Sequence, residues 1–341
     1  MIMTTLKNVL RWLIPLGLAY GIVLALISAG VINNYLFATM MTICINIILA
    51  TSLNLVVGFT GQLALGHAGF MAIGAYTCAI ITMRVDGTVG FLIGVLAGAL
   101  LAAIVGALVG LPTLRLRGDY LAIATLGMAE IIRVAILNMD ITNGAAGLSG
   151  VPRHVDWNWM FVFLAITLVF LWNYIRSSHG RRAIAVREDE IAAEAIGINT
   201  TRVKVQTFTI AAFFAGVGGA LHASYFYVLQ PDQFGFLKSI DILVIVVLGG
   251  LGSMTGSIIA AILLAIVSTM LAGMADIRMI VYSLTMVLIM IFRPGGIMGS
   301  RELSLKIFGK AFGRGNGARA AADTPVVTED EDAVPTDKEA Q

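Results

Sequence analysis

The chain has 341 residues, of which 58% are hydrophobic and 12% charged, and its mean hydropathy is +0.91. A soluble domain carries about 25% charged residues, and a folded chain this poor in charge lacks the polar cover that water demands, so its outer solvent is lipid. The 22 Lys and Arg against 20 Asp and Glu give a net +2 that points to no nucleic-acid partner, and the placement of the charges is more informative than their sum.

Lys7 and Arg11 precede an apolar run from Trp12 to Gly30. The run imitates a secretory signal but is long enough to span, and Ser28-Ala29-Gly30 is no A-x-A cleavage pattern, so an uncleaved first span is expected. Stretches near the roughly 20 residues needed to cross the hydrocarbon recur at 36–57, 66–83, 89–111, 119–138, 159–175, 205–229 and 279–292. Between the last two, 240–273 is too long for one span and is interrupted at Gly249-Gly250-Leu251-Gly252-Ser253-Met254-Thr255-Gly256, which predicts two segments, the first short or re-entrant. The expected fold is an all-α polytopic membrane protein of about 8–10 transmembrane segments, with Gly-rich broken or re-entrant helices and a weak internal repeat. Cys44 and Cys78 lie in apolar runs without the spacing of a metal site or redox pair and read as packing residues. Gly94-x-x-x-Gly98 and Gly106-x-x-x-Gly110 read as close helix contacts.

Basic residues in short loops stay in the cytoplasm. Arg115 and Arg117, then Arg176, Arg181, Arg182, Arg187, Arg202 and Lys204, then Arg293, Arg301, Lys306 and Lys310 mark inner segments, whereas 31–35 and 139–158 read as external. Both termini then lie inside, which requires an even number of crossings. A transmembrane domain is expected over 1–311, containing a polar cytoplasmic loop at 176–204. Positions 312–341, rich in Gly, Ala, Asp, Glu, Thr and Pro, are expected to form a disordered cytoplasmic tail.

The repeat relates two glycine-rich interruptions. Asn54-Leu55-Val56-Val57-Gly58 leads into Gly61-Gln62-Leu63-Ala64-Leu65-Gly66-His67-Ala68-Gly69, and Val246-Val247-Leu248-Gly249-Gly250-Leu251-Gly252 leads into a further turn. Unpaired backbone at membrane depth must face a cavity or other protein, so a solute path at Asn54, Gly61, Gln62, Gly66, His67, Gly249, Gly250 and Gly252 competes with plain helix packing. Asn54 and Gln62 bracket the first break and can bond either exposed backbone or a passing solute; the sequence does not separate these. His67 at that break is either a path residue or a satisfied packing histidine, and His222 reads as packing. Glu130 and Arg133, spaced i,i+3 near the middle of a span, read as a structural pair, and Lys238 with Asp241 reads as a second such pair at a span entrance.

The longest polar insert before the tail holds Arg187, Glu188, Asp189, Glu190, Ile191, Ala193, Glu194, Ala195, Ile196 and Gly197. The acidic trio favours a helix start, Ile191, Ala195 and Ile196 form one apolar stripe, and Gly197 suits the stop. Such a short amphipathic helix lies on lipid or docks into a partner, and its mixed charge argues against anionic lipid alone.

These segments together, namely 54–76 (NLVVGFTGQLALGHAGFMAIGAY), 118–133 (GDYLAIATLGMAEIIR), 143–152 (NGAAGLSGVP), the polar insert and 249–256, resemble the permease subunits of bacterial branched-chain amino acid ABC importers over about residues 36–300. The resemblance implies an inner-membrane permease that pairs with a second related permease, binds two ABC ATPase subunits inside and receives solute from a periplasmic solute-binding protein. It implies a coupling helix at Glu188 to Gly197, Leu, Ile and Val as substrates, and alternating access as mechanism. No G-x-x-x-x-G-K-[ST] loop, nucleophile elbow, HExxH or Cys-x-x-Cys is present, and the four histidines are scattered, so no enzyme, cofactor or metal site is expected on this chain and ATP is expected to be used by the partner subunits. A urea, short-amide or other amino acid importer is the alternative within the class. An ion-coupled carrier, with Glu130 as its carboxylate, and a channel are the alternatives outside it.

Overall fold

The computed structural model describes residues 33–270 except 115 and 117, scattered positions between 17 and 30, position 284 and positions 296–299. The expected span at 279–292 and the tail at 312–341 therefore lie wholly or largely outside the described residues, as do Arg115, Arg117, Arg293, Arg301, Lys306 and Lys310, and the expected span at 12–30 is described only in part.

Ten helices make up most of the described chain: α1 (Asn34–Val57), α2 (His67–Arg84), α3 (Thr88–Thr113), α4 (Asp119–Leu137), α5 (Trp157–Arg176), α6 (Ser178–Glu188), α7 (Glu190–Ala195), α8 (Thr200–Phe226), α9 (Phe236–Gly249) and α10 (Met254–Met270). Five of these, α1, α3, α4, α5 and α8, are long and apolar enough to cross a membrane, and α9 with α10 forms a sixth, broken unit. The chain is a multi-pass, all-α membrane protein. Among the described residues a small ribbon pairs β1 (Leu148–Ser149) antiparallel with β2 (Val228–Leu229) at the opposite end of α5 and α8 from α6 and α7.

Burial divides the helices into two kinds. In α1 and α8, 78% of the spanning window is buried, against 39% in α3, 28% in α4 and 33% in α5. On α3 the side chains of Leu96, Ile104 and Leu108 remain more than half exposed, an arrangement that hydrocarbon tolerates and water does not. Without a hydrophobic force between helices in lipid, close packing needs small residues, and the central crossing supplies them. A Cβ on Gly74 of α2 would lie 2.1 Å from the Gly216 carbonyl oxygen of α8, and one on Gly98 of α3 would lie 2.8 Å from the Gly74 carbonyl oxygen. Gly94 faces Cys78, and Gly106 faces Ala212. Both Gly-x-x-x-Gly pairs thus lie at helix contacts, and Cys44 and Cys78 are buried free thiols.

The split expected within 240–273 is present. α9 has 14 residues, about 21 Å of rise and too short to cross, and its unit bends by 120° into α10 at a break of four residues or fewer. Gly250 (φ +113°) and Gly252 (φ +83°) turn the chain there in conformations that a side chain would strain. Ile297 N–H donates to the Leu248 carbonyl at 2.8 Å, which satisfies part of the open end of α9.

Candidate functional site

The two glycine-rich interruptions meet. Asn54, fully buried in the last turn of α1, donates from Nδ2 to the Ser253 carbonyl at 2.9 Å and to Ser257 Oγ at 2.8 Å, while its Oδ1 accepts from Gly252 N–H at 2.9 Å. The Asn54 carbonyl meanwhile accepts from the N–H groups of Gly58 and Phe59, so this residue closes its own helix end and clasps the second break. Close approach requires glycine at position 58, where a Cβ would fall 2.2 Å from Gly252 N. Gly249 packs equally tightly on Gly256 across the second break, with a Cβ position 2.5 Å from the Gly256 carbonyl carbon.

The sequence left Asn54 and Gln62 undivided between backbone and solute, and the geometry separates them. Asn54 is spent on backbone and on Ser257. Gln62 is only 4% exposed, and among the described residues neither of its side-chain amide atoms has a hydrogen-bond partner. A buried amide left so costs about 1–3 kcal/mol. Its neighbours at the break are held firmly: Leu65 N–H donates to Thr125 Oγ1 of α4 at 3.0 Å, Gly66 sits against the Thr125 carbonyl, and Ala68 N–H donates to Ser239 Oγ of α9 at 3.2 Å. His67 lies 2.9 Å from Ser52 Oγ through Nε2, a satisfied ring that joins the start of α2 to α1.

The polar insert folds into two helices where the sequence predicted one. Ser177 caps α6, with its Oγ accepting from Gly180 N–H, and the chain breaks at Asp189. The Asp189 carboxylate then caps α7, accepting from the N–H groups of Ile191 at 2.9 Å and Ala192 at 3.0 Å. Gly197 ends the unit with φ +86°. Two of the acidic residues hold α7 to α8: Lys204 Nζ donates to Glu190 Oε1 at 2.6 Å, and Thr200 Oγ1 donates to Glu194 Oε1 at 2.7 Å. Ala193 is buried inside the loop, packed with Ala183, Val186 and Val203. The apolar stripe faces outward, with Ile191 74% and Ile196 76% exposed.

Arg187 points the other way. Its Nη1 donates to the Gly58 carbonyl at 2.9 Å, its Nε donates to Glu188 Oε1 at 3.1 Å, and its Nη2 also donates to that carboxylate. The side chain lies on Gly61 (φ +71°), where a Cβ would meet Cγ at 2.9 Å, and beside Gly252, where a Cβ would meet Nη1 at 2.9 Å. Asn54, Gly58, Gly61, Gly252 and Arg187 are thereby brought into one constellation, whereas Gly66 and His67 belong to the contacts with α4 and α1. Sequence reasoning missed Ser253 and Ser257 as partners of Asn54, although hydroxyl residues flanking a break in an apolar segment are a usable signal.

The charged pairs inside the spans resolve differently. Arg133 Nε donates to Glu130 Oε2 at 2.7 Å, and its Nη1 donates to Asp232 Oδ1 at 3.1 Å. The pair lies just past the middle of α4, beside the turn at Pro231–Phe234. Lys238 reaches across to α1, donating from Nζ to Asn46 Oδ1 at 3.3 Å.

Comparison with known proteins agrees with this architecture. Residues 35–291 match the model of the family described as "Branched-chain amino acid transport system / permease component". The chain is 38% identical over 298 residues to the high-affinity branched-chain amino acid transport system permease protein LivM of Salmonella typhimurium, covering 77% of this chain and 70% of the relative, and it matches the Escherichia coli LivM protein to the same extent. It is also 32% identical over 148 residues to the Escherichia coli permease protein LivH, covering 42% of this chain and 47% of the relative. No solved structure matches the chain. A family match over most of the length, together with a multi-pass helical bundle and paired glycine breaks, places this chain in the branched-chain amino acid transport permease family.

Proposed function

We propose that the chain is one of two related permease subunits in an ATP-driven importer of the bacterial inner membrane, with both termini cytoplasmic. It moves branched-chain amino acids, handed over by an external binding protein, through alternating access. Two ATPase subunits hydrolyse the ATP, and this chain binds no cofactor of its own. The names of the LivM relatives support the substrate class. The shorter match to LivH, a differently named permease, supports a related second subunit.

The observation that carries the reading is the outward face of α7. Two large apolar side chains, Ile191 on the short helix that Glu190 and Glu194 pin to α8 and Ile196 at its C-cap, stand about three-quarters exposed. A rigid, polar loop with a small apolar ridge suits a groove on a soluble partner, and the exposed Glu188 and Asp189 beside it disfavour an anionic lipid surface. Within the bundle, the amide of Gln62, without a partner among the described residues, is the group we assign to the passing solute, because Asn54 is committed to the backbone of the second break. The ion-coupled alternative loses support from the engagement of Glu130 with Arg133.

The test is an affinity pull-down of the tagged chain from detergent-solubilised native membranes, with identification of the co-purified proteins, repeated with Ile191→Glu and Ile196→Glu together. The expected result is an ATPase and a related permease with the native chain, and loss of the ATPase alone with the double variant. A native chain that purifies without an ATPase contradicts the proposal.

A further inference from the structure

We infer that Arg187 is a positioning residue that carries movement of the docking loop to both helix breaks. The inference rests on the proposed function and adds the route by which the loop reaches the bundle.

α1 ends at Val57 with no basic residue in its last turn, and its end carbonyls need donors and a positive charge. Arg187, in the last turn of α6, supplies both to the Gly58 carbonyl from a different part of the chain. Glu188 orients the guanidinium from the adjacent position. The contact is built on both sides: Gly61 and Gly252 each adopt a positive φ and each leaves the space that this one side chain fills. Asn54 ties the two breaks together, so the guanidinium touches a linked pair. Only four positions along the chain separate inward-facing Arg187 from outward-facing Ile191, with Asp189 as the single residue between α6 and α7. A partner that shifts α7 thus pulls on the first break through one hydrogen bond and presses on the second through direct contact. The Arg187 side chain is 30% exposed, so this bond is partly sheltered from water.

The experiment uses the whole transporter, with its ATPases, second permease and binding protein, in proteoliposomes. Arg187→Ala removes the side chain, and Arg187→Met keeps a stem on Gly61 while removing every donor. With either variant the ATPases are expected to stay bound and to keep hydrolysing ATP, while solute taken up per ATP falls about tenfold, the scale of a typical coupling energy. Amide hydrogen exchange on the same samples is expected to retain the nucleotide response of 190–197 and to lose that of 58–66 and 250–253. A residue needed only for stability would lower the melting midpoint and leave uptake per ATP and the nucleotide response of the breaks unchanged. If both variants keep uptake per ATP within about twofold of the native chain, a shift below a typical coupling energy, the inference is overturned. If the native chain holds no ATPase, the proposed function fails and the inference with it; equal coupling in native and variant complexes overturns the inference alone.

Discussion

Replacing Asn54 tests whether the two breaks are clasped as a unit. Asn54→Ala deletes three hydrogen bonds of 2.8–2.9 Å, to the Ser253 carbonyl, Ser257 Oγ and Gly252 N–H, at a fully buried position. Interhelical hydrogen bonds in membrane proteins average about 0.6 kcal/mol, and a buried donor left orphaned, here Gly252 N–H, costs a further 1–3 kcal/mol or so. The sum is roughly 3–5 kcal/mol. Asn54→Asp keeps the acceptor for Gly252 N–H but sets a carboxylate oxygen against the Ser253 carbonyl, so it is expected to destabilise at least as much as alanine. The assay is unfolding of the purified chain in mixed micelles with increasing sodium dodecyl sulfate, followed by helical circular dichroism, beside uptake by the reconstituted transporter. A loss below about 0.5 kcal/mol for both variants, less than one average interhelical bond, would refute the clasp.

Three further outcomes are expected. At the central crossing, Gly74→Ala forces a Cβ to 2.1 Å from the Gly216 carbonyl oxygen, and Gly216→Ala meets Ala102 Cβ at 2.8 Å, whereas Gly127→Ala on α4 meets nothing within 4 Å. Melting midpoints in detergent should therefore fall most for Gly74→Ala, at a cost of about 1–3 kcal/mol or more, less for Gly216→Ala, and not at all for Gly127→Ala. Glu130→Gln leaves Arg133 its bond to Asp232, so stability is expected to drop by less than about 1 kcal/mol and ATP-dependent uptake to persist, while abolition of uptake would revive an ion-coupled mechanism. Gly197→Ala has open space around it and φ +86°, so its cost is conformational, about 1–2 kcal/mol confined to the end of α7, and hydrogen exchange of 190–198 should rise while that of α8 stays unchanged.

Much of the fold was legible because lipid simplifies the code. Long apolar runs can only be helices there, and the glycines clustered at 249–256 marked a break inside the apolar stretch 240–273. The start of α7 at an acidic cap and its stop at Gly197 were legible for the same local reasons. What could not be read is which face of a residue meets which neighbour. Ser178–Glu188 carries two adjacent arginines and no strong apolar stripe, so α6 gave no periodic signal before α5 and α8 held it. Arg187 and Glu188 are adjacent in sequence and equally polar, yet one turns inward to Gly58, 129 positions away, and the other stays at the surface. Nothing in the sequence singled out Ala193, which is outside the apolar stripe, as the residue that Val186 and Val203 enclose. Asn54 and Gln62 were chemically equivalent candidates until Gly252 and Ser257, some 200 positions on, took one of them and not the other.

The most direct test of the account is leucine uptake into proteoliposomes holding the whole complex, with ATP supplied at the ATPase side or withheld, for the native chain and for the Ile191→Glu, Ile196→Glu double variant. The account predicts uptake that needs ATP in the native complex and is lost in the variant, although the permease pair still assembles. Leucine flux without ATP, or ATP-driven uptake unaffected by the two glutamates, would contradict it.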